Sequence, residues 1–364
     1  MATNTGVIVT QTTAEAIPLS KQLPIAIAGT CTTGTLAAST PTRIRTKDDA
    51  ATILGDGGAT DTLPKAVAVL QDKYGCGDIT VVKGATEDEA GVTAAIALLA
   101  NAAVRPEVVL TPSFNSAAVT MALKTLVDNI KAIALINITA ATSVADAITA
   151  RQAVGGTGID DQRIAVCFPH MKDETDPTKL EEVSLHLAGI LANLDNYGQS
   201  PLNQPLREVS DTDVTMSFSY SSETSDNEQI TDEGGTTVNL DPDGKYVIWG
   251  ARNSSYTEGS TDVLTYINAI RARDEITRLI EARAVKFLAE ESNFATASLL
   301  KESFLDSLAT EAAKGAIRPT GSVTFNEDKS DYSTGKLDYT VQFAPWLPIE
   351  LISASVSISV SVGG

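Results

Sequence analysis

Between residues 23 and 170, short, mostly apolar runs alternate with longer runs of helical pattern. Leu23-Pro-Ile-Ala-Ile-Ala-Gly29, Asp78-Ile-Thr-Val-Val-Lys83, Glu107-Val-Val-Leu-Thr-Pro112, Ala132-Ile-Ala-Leu-Ile-Asn-Ile138 and Arg163-Ile-Ala-Val-Cys-Phe168 read as strands. Helices are expected over 86–100, 116–129 and 143–153, the first with Glu87, Asp88 and Glu89 at its positive N-terminal end. Asp176-Pro-Thr178 opens a further helix from Lys179 to about Asn193. Strands that are apolar on both faces and alternate with helices predict an α/β fold in three layers, its mostly parallel sheet covered on each side.

Residues 199–244 break this rhythm with Pro, Gly, Ser, Thr and Asp, and read as a boundary of hairpins and loops. A new unit is expected from Lys245-Tyr-Val-Ile-Trp-Gly250, followed by a helix from about Thr261 to Ala289 and a second over 297–313 that stops at Gly315. Trp249 is expected in the core of this α+β unit. Two strands follow, 321–326 and 337–343. The last run, Ser353 to Gly364, sets Val356, Ile358, Val360 and Val362 strictly between serines, the period of a strand with one apolar face. Gly6, Val7, Ile8 and Val9 begin a similar strand near the other end. Strand edges invite further strands, so these two segments are expected to pair inside the subunit or with neighbouring copies.

A length of 364 residues allows two or three domains. The formal net charge of -19 argues against a nucleic-acid or anionic-membrane surface, since each needs clustered Lys and Arg. No apolar run approaches the ~18 residues of a membrane span, and Met1-Ala-Thr-Asn4 lacks the pattern of a secretory leader. Cys31, Cys76 and Cys167 form no CxxC pair and read as buried thiols, their odd number leaving room for a bridge between subunits.

Catalytic chemistry is sparse. The two histidines are His170, after a strand, and His186, inside a helix. No nucleophile elbow, phosphate loop, dinucleotide fingerprint or zinc spacing occurs, so no cofactor and no metal are expected. A strand-end histidine in an α/β sheet still admits an enzyme or ligand-binding oligomer with a site near His170.

Gly244-Lys-Tyr-Val-Ile-Trp-Gly-Ala-Arg-Asn253, followed by Tyr266-Ile-Asn-Ala-Ile-Arg-Ala-Arg273, resembles the contractile tail-sheath family of phage tails, R-type pyocins and related injection machines. Leu187-Ala-Gly189 with Asp195, Gly198 and Ser200-Pro-Leu-Asn203 is similar to another family segment. So are Phe287-Leu-Ala-Glu-Glu-Ser-Asn293, Phe304–Gly315 and Phe343-Ala-Pro-Trp-Leu-Pro-Ile-Glu-Leu351, all in the family's order. Asn253, Ala272 and Ser292 depart from the usual Thr, Arg and Pro. The resemblance implies an N-terminal arm (1–20), an outer α/β domain (21–220) and an inner, tube-facing α+β domain (221–364). It further implies terminal strands exchanged with neighbours, here Gly6–Val9 and Val356, Ile358, Val360 and Val362. The function implied is that of a non-enzymatic structural subunit in the virion, assembled in the host bacterial cytoplasm. It would stack as hexameric rings around a tail tube, capped by baseplate and terminator proteins, and contract to drive the tube through an envelope. Arg271, Arg273, Arg278, Arg283 and Lys286 form the densest basic run. It reads either as facing an acidic tube or as a solvated helix face paired with Asp274, Glu275 and Glu281.

Overall fold

A computed structural model describes residues 23–349 apart from 140, 154–160, 221, 223 and 289. The first half of the chain supplies β1 (Ile25–Gly29), β2 (Thr42–Ile44), α1 (Lys47–Leu54), α2 (Leu63–Ala68, running on into a π-helical turn over Val69–Lys73), β3 (Ile79–Lys83), α3 (Glu89–Leu98), β4 (Val108–Leu110), α4 (Ala117–Ile130), β5 (Ile133–Asn137), α5 (Val144–Ala153) and β6 (Ile164–Cys167). Then come β7 (His170–Asp173), β8 (Leu180–Glu182), α6 (Val183–Asn193), β9 (Val209–Thr212), α7 (Asp226–Asp232), β10 (Gly235–Leu240) and β11 (Tyr246–Trp249). The remainder is α8 (Ile267–Val285), α9 (Phe294–Ala313), β12 (Ser322–Phe325) and β13 (Tyr339–Gln342).

Eight strands form one sheet in the order β11-β10-β6-β5-β4-β1-β3-β2. The inner neighbours run parallel and the two edge strands antiparallel. Because strand side chains alternate in direction, each buried strand feeds two cores. Ile25, Ile27, Val108, Leu110, Ile133 and Leu135 meet α6 and the α2 segment on one face. Ala26, Ala28, Val109, Ala134, Ile136 and Val166 meet α3, α4 and α5 on the other. The expected covered, mostly parallel sheet is observed. Cys31, Cys76 and Cys167 are buried free thiols, with burial raising Cys76 to about 12.

Three expectations are corrected. The helix expected from Lys179 begins at Val183, because Leu180–Glu182 pairs antiparallel with β7 after the Asp176 carboxylate closes a turn on Thr178. The helix expected from Thr261 begins at Ile267, preceded by a 3-10 turn over Val263–Thr265 that Asp262 caps through Leu264 N–H. Residues 199–244 hold the expected hairpin turn, between β10 and β11, but also β9 and α7, and are no boundary of the sheet. The sheet itself crosses residue 220, since β10 joins β6 in parallel and carries β11 with it.

A third core lies where α8 leaves the sheet. Ile267 and Ile270 belong to the first core, whereas Ala272 and Ile276 pack with Leu300, Phe304 and Leu308 of α9, Ile317 and Val323. One helix therefore spans both parts of the molecule. The residues expected to exchange between neighbours, Gly6–Val9 and Val356, Ile358, Val360 and Val362, lie outside the described residues.

Candidate assembly surfaces

The segments that carry the family resemblance, far apart in sequence, converge at the start of α8. Asn268 is buried and donates its Nδ2 to the carbonyls of Gly198 at 2.9 Å and Trp346 at 2.8 Å. Asn203 N–H donates to Ile248, so the Ser-Pro-Leu-Asn segment covers the outer edge of β11. Gly250 sits at φ +92 with the Gly235 carbonyl 2.6 Å from where a Cβ would stand, a conformation and approach that only glycine tolerates. Arg252 then stacks on Tyr256 at 3.5 Å and on Tyr266 at 5.0 Å, a planar cation over two aromatic faces. Asn253, in place of the family's Thr, donates Nδ2 to Leu264 and joins the turn before α8. Trp249 is half-buried, with Nε1 donating to Glu228 at 2.9 Å and its ring edge-on to Tyr220.

The basic run on α8 divides. Arg271 is 9% exposed and sits over the first residues of β4 and β5. Burial works against its charge, yet a guanidinium stays protonated in proteins. A side chain so enclosed is withdrawn from any surface contact, which corrects the expectation for this residue. Arg273 donates to Gln162 at 3.0 Å, and Arg278 pairs with Glu275 and lies 3.5 Å from Glu107. The paired reading thus holds for Arg278 one turn along the helix, but the dominant partners come from the sheet. Arg163 at the start of β6 grips Asp274 with both Nη atoms, at 2.5 and 2.8 Å. Beside this latch lies a polar cleft of about 760 Å³ reaching Asp128, Asp161 and Glu281. Arg283 is 3.8 Å from Asp306 of α9, and Lys286 is exposed.

Beyond the latch, α8 and α9 form an elbow whose outer surface is apolar: Val285, Leu288, Phe294 and Leu299 are all more than half exposed. Asn293 caps α9 through Thr296 N–H. The hairpin of β12 and β13 packs on α9, with Tyr339 donating to the Ala297 carbonyl at 2.8 Å and its ring edge-on to Phe304. Among the described residues this hairpin is a sheet of two strands with no third strand on either edge.

Around the two histidines the side chains are bonded to one another. His170 Nδ1 lies 3.2 Å from Asp213, whose other oxygen accepts the His170 N–H at 3.0 Å. His186 is fully buried, its Nδ1 2.9 Å from Tyr74 Oη and its Nε2 3.0 Å from Glu181. Burial lowers its pKa. Lys73 is 2.7 Å from both Asp173 and Glu181 and donates to the Glu208 carbonyl. Burial alone would lower Lys73, but its two carboxylates outweigh that and raise it. Bonds from Lys73 and Thr175 hold Asp173 far below the usual carboxylate range. No local pattern announces this cluster, because Lys73 and Asp173 are 100 residues apart. Among the described residues no group of His, Cys, Asp and Glu has metal-site geometry, and no helix is long and apolar enough to cross a membrane.

The fold is that of contractile sheath subunits. It matches the sheath of an extracellular contractile injection system, the PVC sheath complex in its contracted state, with a TM-score of 0.74 and 16% identity over 99% of each chain. The helical sheath of the anti-feeding prophage, also contracted, matches with a TM-score of 0.72 and 20% identity, covering 98% of this chain and 99% of that one. Residues 88–254 match the phage tail sheath protein central domain. The tail sheath protein of Burkholderia phage BcepMu is 26% identical over 178 residues, 47% of this chain and 37% of that protein's length. By sequence the central part of the chain, residues 88–254, is similar to the phage tail sheath family, and by fold nearly the whole chain is similar to contractile sheath subunits.

Proposed function

We propose that this chain is the repeating subunit of a contractile tail sheath. It polymerises as stacked six-fold rings around a tail tube, between baseplate and terminator proteins, and forms part of a virion assembled in the bacterial cytoplasm. It needs neither nucleic acid nor direct membrane contact. The observation that carries the reading is the two-stranded hairpin β12–β13, open on both edges, in a chain whose fold matches sheaths from end to end. Its edges suit the segments at Gly6–Val9 and Val356–Val362 of neighbouring copies, which would complete the sheet by strand addition.

Division into an N-terminal arm, an outer unit and an inner unit follows the same logic. The covered sheet makes the outer body, and α9 with the hairpin makes the inner one. Arg283 and Lys286, beside the apolar elbow, face the tube. Arg273 and Arg278 first serve the starts of inner strands, through Gln162 and Glu107. Contraction draws on energy stored in assembly: an extended packing relaxes into one with more mutual burial, as whole subunits rotate while strand ladders persist. Many modest contacts repeated through one lattice sum to a large cooperative drive.

Deleting residues 1–13 or 354–364 tests this directly. Each truncated chain should keep its circular dichroism spectrum and thermal transition, yet fail to sediment as polymer. Normal polymers from either truncation would sink the strand-exchange reading.

A further inference from the structure

Inside α6, His186 has no solvent exposure, and both of its ring nitrogens meet polar atoms. Nε2 lies 3.0 Å from a Glu181 carboxylate oxygen on β8, and Nδ1 lies 2.9 Å from Tyr74 Oη just after the π-helical turn. A bare nitrogen at Nε2 would set its lone pair against the carboxylate, so the ring proton sits there and Nδ1 accepts the Tyr74 O–H. Tyr74 Oη in turn accepts the Arg207 N–H at 3.3 Å. Gly189, further along α6, lets the Tyr74 ring rest on the helix, since a Cβ there would stand 2.3 Å from it.

A second ring proton, on Nδ1, would point at the Tyr74 O–H, and that hydroxyl would lose its acceptor in a space closed to water. The charge has no counterpart either. Asp173 from β7 and Glu181 from β8 face His186 together with Lys73, which is 2.7 Å from both carboxylates. Arg207, ahead of β9, lies over the Tyr74 ring at 5.3 Å. Two cations already balance two carboxylates, so an imidazolium would be buried without an anion of its own. Glu182 turns away, to Ser113 and Ser184, and β4, β5 and β6 supply Leu110, Leu135, Ala165 and Cys167 to this core. The weakest holder is β8, three residues at the edge of its sheet and paired to β7.

We propose that His186 is a proton-operated catch: its neutral ring fastens β8 and the Tyr74 turn to α6, and acid frees β8 by capturing the exposed imidazole in its protonated form. Local opening therefore begins here on acidification, before the rest of the fold gives way. Burial depresses the folded pKa of His186. The catch is thus complete above the free imidazole value of about 6.5 and weakens as pH falls below it. Glu182, which burial raises, acts in the opposite direction, so the parent and a variant are compared.

Two measurements on the full chain test it. Native-state hydrogen exchange, corrected for the intrinsic rate, should show the opening constant of residues 180–193 rising by up to about tenfold per pH unit between pH 6.5 and 5. His186→Gln, which keeps a donor and an acceptor but cannot titrate, should flatten that rise. Equal slopes in both proteins, or a rise spread evenly over the chain, would overturn the proposal. Nitrogen-15 histidine spectra of the unaltered protein supply the second readout, which does not require the variant to fold. The imidazole in contact with the Tyr74 ring should stay neutral from pH 8 to 6 with its proton on Nε2. An imidazolium there at pH 7, or titration with the ordinary midpoint, would overturn the assignment.

Discussion

Replacing Asp274 by Ala removes the carboxylate that receives both Nη atoms of Arg163. The Arg163 side chain is 7% exposed and that of Asp274 16%, so the pair is largely out of water. What remains to Arg163 is the Ala132 carbonyl at 3.2 Å and Asp128 at 3.8 Å. Breaking a buried pair on one side costs about 3–5 kcal/mol, since a charge is left without its partner. Asp128 is half exposed and offsets part of this, which places the expected loss near 3 kcal/mol by the same reasoning. For a chain of 364 residues the shift is about 1.3 °C per kcal/mol, so the melting temperature should fall by roughly 4 °C. Urea unfolding at neutral pH, followed by tryptophan fluorescence and by far-ultraviolet circular dichroism, reads the effect. The double variant Arg163→Met with Asp274→Ala should recover to within about 1 kcal/mol of the parent, because no buried charge is left stranded. A single-variant loss below about 1 kcal/mol, or a double variant losing the sum of both singles, would refute the view that this pair anchors α8 to the sheet.

Other consequences follow from the same packing. Lys73→Met should destabilise by about 3–5 kcal/mol, since Asp173 and Glu181 would face each other without their cation; a loss under about 1 kcal/mol in equilibrium unfolding would contradict the cluster's role. Asp173 has a depressed folded pKa, so its contribution is complete above the unfolded value of about 3.9 and fades as pH falls through the lower folded value. Acid titration of stability should show a limb below about pH 4 that Asp173→Asn reduces, and an unchanged limb would count against it. Gly189→Ala should cost about 1–3 kcal/mol by overpacking, because the added Cβ would stand 2.3 Å from the Tyr74 ring; a neutral effect on the melting temperature would show that α6 can slide.

The parts of this molecule that were legible in the sequence are those whose signal is local. Ile133-Ala-Leu-Ile-Asn137 is apolar on both faces and lies at the centre of the sheet, and the acidic start expected for the helix over 86–100 is where Asp88 caps α3. Strand membership was not legible for β10 and β11. A hairpin pattern specifies its own pairing, while the choice of Cys167 as the neighbour of Thr236 depends on a strand 69 residues earlier. The basic run on α8 was visible as a cluster, but its direction was not: Arg273 and Arg278 turn to the sheet because Gln162 and Glu107 present partners there, and Arg163 draws in Asp274 of the same helix. The resemblance segments gave family and order, and the structure supplied their reason, Asn268 joining Gly198 to Trp346 across the node.

Negative-stain electron microscopy of the purified chain alone, over a concentration series, tests the central claim most directly. The account expects hollow helical tubes of uniform width, the relaxed lattice formed without a tube template, with their fraction rising as concentration rises. Small uniform particles at every concentration would contradict it and remove self-assembly as the purpose of the open hairpin.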